Sequence, residues 1–102
     1  MKAIALVFVV ACGLVSAGAP EGKTVFETKC QICHGPKGEG KAAIAKMYGV
    51  EMRHLGSKEV QSRSDAEIRQ IIATGKGKMK PVGGLARKQV EDVIAYVRTL
   101  KE

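Results

Sequence analysis

Cys30-Gln31-Ile32-Cys33-His34 is the stretch on which the reading of this chain turns. Two thiols three positions apart, followed directly by an imidazole, form the attachment pattern for a c-type haem. At the end of a helical turn such thiols reach the two vinyl groups on one edge of a porphyrin and form thioethers, while the imidazole points under the ring to the iron. Two other chemistries use a cysteine pair. A redox dithiol belongs in a βαβ setting, yet no stretch beyond the first residues alternates apolar and polar side chains as a half-buried strand does. Zinc asks for a second ligand pair, and His54 is the one further histidine. Cys30 and Cys33 are therefore expected to carry one haem covalently, with His34 as the proximal ligand of its iron.

Working outward, 102 residues leave room for a single domain. The N-terminus has the pattern of an export signal: a positive start at Met1-Lys2, an apolar run over residues 3–10, and small residues at Val15-Ser16-Ala17. Cleavage after Ala17 is favoured, giving a signal peptide 1–17 and a functional domain 18–102; a cut after Ala19 would leave Pro20 beside the scissile bond. Alternatively, Val9-Val10-Ala11-Cys12 is a lipoprotein box with a signal 1–11 and an acylated Cys12, although eleven residues are short for such a signal. The apolar run falls well below the roughly 20 residues of a spanning helix. The expected location is periplasmic or otherwise exported.

Loss of Lys2 takes the formal charge from +7 to +6, because no acidic residue precedes Glu21. The lysines are dispersed and arginines few, which disfavours nucleic acid and leaves acidic proteins as partners. Beyond residue 17 the aromatics are Phe26, Tyr48 and Tyr96, and tryptophan is absent. So small a domain with so little apolar bulk needs a staple or a cofactor to close its core.

The periodicity is helical, and the expected fold class is all-α. Gly22, Phe26, Cys30 and Cys33 share one helix face, opened by Pro20 and Glu21 and ended by Gly35-Pro36. Ser64 and Glu67 make a capping box before Ile68, Ile71 and Ile72, and this second helix stops at Thr74-Gly75. A third helix over 87–100 carries the stripe Val90, Val93, Ile94, Val97 and Leu100, with Ala86 a poor cap. A glycine- and lysine-rich connection with a short helix over 41–48 joins the first two. The loop Gly75-Lys76-Gly77-Lys78-Met79-Lys80-Pro81-Val82-Gly83-Gly84 is expected to hold no shape by itself, yet it presents a soft sulfur at its middle. Met79 is thus favoured as the distal iron ligand over Met47, Met52 and His54; the other two methionines lie among apolar neighbours where they would fill gaps.

Together these stretches resemble a small bacterial monohaem class I cytochrome c over residues 20–102. Gly22-Lys23-Thr24-Val25-Phe26 resembles that family's N-terminal helix, whose glycine and aromatic pack on an aromatic of the closing helix, here Tyr96. Gly75 to Pro81 resembles the methionine-ligand loop, and Val93-Ile94-Ala95-Tyr96-Val97-Arg98 the closing helix. The resemblance implies three main helices wrapped around one covalent haem. It departs in lacking a Gly-Pro-x-Leu stretch after Gly40, whose proline often receives the ligand histidine's proton, and in placing Pro81 two positions after Met79. His34 is still expected to donate its second ring N–H to a backbone carbonyl.

With His34 and Met79 filling both axial positions, the expected function is one-electron transfer between exported redox partners, not catalysis. Lys37, Lys41, Lys46, Lys76, Lys78 and Lys80 flank the segments expected to border the haem and would steer acidic partners. The rival enzyme reading is a five-coordinate haem peroxidase or gas sensor with Met79 free. A third is an electron-entry subunit of a larger complex.

Overall fold

The computed structural model describes residues 18–102; the expected signal peptide and Cys12 lie outside the described residues. The elements are α1 (Ala19–Lys29), α2 (Gln31–His34), α3 (Ala42–Tyr48), α4 (Lys58–Gln61), α5 (Asp65–Thr74) and α6 (Arg87–Val97). Among the described residues there is no strand, so the chain is all-α, with α1, α5 and α6 as its main helices.

The principal helix contact is between α1 and α6. Gly22 makes it close: a Cβ there would overlap the Asp92 carbonyl and lie 2.9 Å from Tyr96 Cβ. One turn on, Phe26 is fully buried and meets the Tyr96 ring at a centroid distance of 5.2 Å and a tilt of 52°. Tilted aromatic pairs at such distances add to the gain from burial alone. Val25, Phe26, Ile68, Ile72, Val93, Ile94 and Val97 form the core, with Val90 and Leu100 packed against it.

Polar bonds hold the helix ends. Asp92, 3 % exposed, accepts from Gly18 N–H through Oδ1 at 2.8 Å and from Lys88 Nζ through Oδ2 at 2.8 Å. Arg98 donates to Asp65 Oδ1 and to the carbonyls of Gln61 and Arg63, at 2.7, 2.9 and 2.6 Å. Gln61 Nε2 in turn donates to the Leu55 and Val97 carbonyls. The bidentate Arg69–Glu91 pair, at 2.6 and 3.0 Å, joins α5 to α6.

Four details differ from the expected pattern. The first helix is not continuous through Cys33: it breaks at Cys30 (φ −116°, ψ −35°), whose carbonyl accepts from both Cys33 N and His34 N, starting a separate turn. A short α4 appears because the Ser57 side chain accepts from Val60 N. At α6, Ala86 offers no side chain, but the Gln89 Oε1 accepts its N–H at 2.8 Å and so supplies half of a cap. That helix ends at Val97, beyond which Thr99 and Leu100 close tighter turns through bonds to Tyr96 and Val97.

Although alanine is the better helix former, Gly22→Ala should destabilise the protein by about 1–3 kcal/mol, as overpacking does, measured by denaturant unfolding. Asp92 also sets an acid limit. The Lys88 ammonium, then the Gly18 N–H, hold its carboxyl below the ordinary 3.8. Its contribution is therefore present above that value and is lost as the pH falls through the lower folded-state value. Asp92→Asn should flatten the acid limb of a stability–pH curve.

Candidate functional site

One cavity of about 700 Å³ opens between α1, α5, α6 and the loops. Its walls are mainly apolar and include Phe26, Ile68, Ile72, Val93 and Val97, which are also core residues. Cys30, Cys33, His34 and Met79 all line it. Its size suits a large flat cofactor.

The two cysteines are not joined by a disulfide. Burial, and then the neighbouring Cys33, push the Cys30 thiol up to about 11. It is held as a neutral thiol, unlike the low-pKa cysteines of redox dithiol sites. Burial also lowers the His34 value, keeping the imidazole neutral. His34 Nδ1 is out of contact with solvent and has no hydrogen-bond partner. A neutral imidazole lining the cavity beside two unbridged thiols is a donor that iron accepts, so these residues fit a haem. The expected donation to a backbone carbonyl is absent. No proline carbonyl follows Gly40, and the polypeptide instead bonds back through the backbone, Gly40 N–H donating to His34 O at 2.6 Å.

Met79 is held more firmly than its glycine-rich setting led us to expect. Lys76 N–H donates to Met79 O at 3.0 Å and Met79 N–H to Lys76 O at 2.9 Å, closing a turn over Gly77 and Lys78. Gly77 takes φ +57°, where a side chain would be strained. Gly75, at φ +77°, would overlap the Met79 carbonyl with a Cβ, and Val82 N–H donates to Ile72 O at 2.8 Å. With Gly75 N–H donating to Ile71 O at 2.8 Å, the loop is tied to α5 at both ends.

The competing ligands separate by position. His54 and Met47 do not line this cavity, and His54 Nδ1 is already occupied by the Gly56 N–H at 2.9 Å. Met52 lines the cavity from the α3–α4 connection. The lysines divide as well: Lys76, Lys78 and Lys80 line the cavity, whereas Lys37, Lys41 and Lys46 do not. Sequence reasoning missed Lys29, Arg53 and Arg63, which also line it. Lys29 was legible as the polar neighbour of Cys30; the arginines come from connections without periodicity.

Residues 19–101 match the Cytochrome c family. The chain belongs to the cytochrome c family. It is 27 % identical over 89 residues to cytochrome c-554(547) of Halothiobacillus neapolitanus, a match spanning 81 % of this chain and 97 % of that protein. In structure it is similar to the KustC0563 c-type cytochrome, with a TM-score of 0.68, 26 % identity, and coverage of 79 % of this chain and 98 % of the other. Cytochrome c proteins carry covalent haem c with iron, and membership points to electron transport. Family members are typically exported, and among the described residues no helix is long and apolar enough to cross a membrane.

Gly75→Ala combines a strained φ with backbone overlap and should cost about 1–3 kcal/mol, read as a lower unfolding midpoint of the haem-loaded protein. Gly77→Ala, where a Cβ meets no atom within 4 Å, should cost less.

Proposed function

We propose that this cytochrome c is an exported one-electron carrier whose haem is bonded to Cys30 and Cys33 and ligated axially by His34 and Met79. When bound, the haem supplies an iron that gains and loses one electron. Cys30 and Cys33 hold the ring by one edge, on a turn fixed by the Cys30 carbonyl. His34 is kept neutral by burial and so is ready to bind metal. Met79 contributes a soft, weak donor that favours the reduced state relative to a second imidazole. Phe26, Ile68, Ile72, Val93 and Val97 exclude water from the ring, which disfavours the extra charge of the oxidised centre. The doubly tied 75–82 loop keeps the Met79 backbone in place as the charge changes. Were His34 and Met79 both to hold the iron, a substrate would find no open position on it.

The observation that carries this reading is that the two thiols, the imidazole and the Met79 thioether line one apolar cavity. Lys76, Lys78 and Lys80, with Lys29, present positive charge at that cavity and would steer an acidic redox partner.

Protein made in an exporting, haem-attaching host should keep its haem after denaturation, showing a haem c spectrum in pyridine. Reduced wild type should refuse carbon monoxide, Met79→Ala should bind it, and Met52→Ala should behave as wild type. Rapid binding by the wild type would instead support a peroxidase or gas sensor. Reaction with an acidic partner should slow as salt rises, and Lys76→Gln with Lys78→Gln should flatten that dependence.

A further inference from the structure

At the start of α1 a buried carboxylate meets the first described backbone nitrogen. Asp92 is 3 % exposed, and its Oδ1 accepts from Gly18 N–H at 2.8 Å while Oδ2 holds the Lys88 ammonium. A second carboxylate stands on the other side: a Cβ at Gly18 would overlap the Glu21 carboxyl group. Lys88 feels Glu21 as well as Asp92. Asp92 thus holds both the Lys88 ammonium and the Gly18 nitrogen, with the Glu21 carboxylate beside Gly18 as a second negative charge. The sequence pattern Val15-Ser16-Ala17 sets the favoured cleavage at the bond to that same nitrogen.

We propose that hydrolysis of the Ala17–Gly18 bond makes Gly18 the first residue of the mature protein, and that its α-ammonium pairs with the buried Asp92 carboxylate, fastening α1 to α6. The inference rests on the exported reading. Water supplies the oxygen of the new Ala17 carboxylate and a proton to the Gly18 amine, which takes up a further proton from solvent and is charged at neutral pH. The local charge then balances, two carboxylates against two ammonium groups. Either alternative cut is worse for Asp92. Cleavage after Ala19 removes Gly18 and leaves a buried carboxylate oxygen without its partner, a costly change. Processing at Cys12 leaves Gly18 as a neutral amide donor, the weaker partner for a carboxylate. A positive charge at the start of a helix opposes the helix dipole, but the full charge of the Asp92 carboxylate, 2.8 Å from that nitrogen, outweighs the partial charges of the dipole.

The test begins with the intact mass of the haem-loaded protein recovered from the exported fraction. Residues 18–102 plus one haem are expected. A product beginning at Pro20 or an acylated Cys12 would overturn the proposal, and an unprocessed chain would overturn the exported reading with it. A double-mutant cycle then isolates the pair. Forms beginning at Gly18 and at a retained Ala17 are compared in denaturant, each with Asp92 and with Asp92→Asn. The added residue should lower the unfolding midpoint and reduce the folding constant about fivefold with Asp92, the difference between a charged and a neutral donor. With Asp92→Asn it should have little effect, and equal effects in both backgrounds would overturn the pair. Should Asp92→Asn not fold, NMR titration of the Gly18 amine decides. Asp92, Glu21 and Lys88 are the charged groups facing it, and the two carboxylates should raise its value above that of an unstructured terminus. An unshifted titration would overturn the pair.

Discussion

The contact on which the rest of the structure depends is the approach of α1 to α6 at Gly22. With no side chain at that position, the two backbones come close enough for Phe26 to be sealed beneath Tyr96. Everything downstream on α1 takes its position from that seal. Cys30 ends the same helix, and its carbonyl then starts the turn that carries Cys33 and His34 to the cavity. A shift of α1 along α6 would therefore move the thiols and the imidazole together.

The cavity and the core are not separate objects. Phe26, Ile68, Ile72, Val93 and Val97 belong to both, so the side chains that stabilise the fold are those that would touch the porphyrin. With few aromatics and no tryptophan, the polypeptide supplies the shell of a core whose centre is the cofactor. Around that shell, directional bonds replace apolar bulk: Arg98 gathers Asp65 and the carbonyls of Gln61 and Arg63, and Gln61 returns to Leu55 and Val97.

Much of this was legible because haem attachment uses a contiguous motif and helices announce their period. The Ser64 cap, the glycine stop at Gly75 and the α6 stripe all follow from local rules, and so does the family resemblance that the match over residues 19–101 bears out. What escaped was set by bonds across the chain or by single backbone angles. The break at Cys30 depends on one dihedral pair, and the firmness of the Met79 loop on two reciprocal backbone bonds and a tie to Ile72. The lack of a carbonyl partner for His34 could be suspected from the missing proline, but the direct bond between Gly40 N–H and the His34 carbonyl could not. Set aside by the sequence in favour of Met79, His54 is separated from the cavity by a local bond to Gly56, which no spacing rule encodes.

The partners in the central helix contact stand near opposite ends of the described chain: α1 begins at Ala19 and α6 at Arg87. The contact that seals Phe26 is therefore among the most non-local in the fold, and its loop-closure cost falls before any reward from burial. A chain shortened ahead of Arg87 would keep the thiols, the imidazole and Met79 yet lose the surface on which α1 packs.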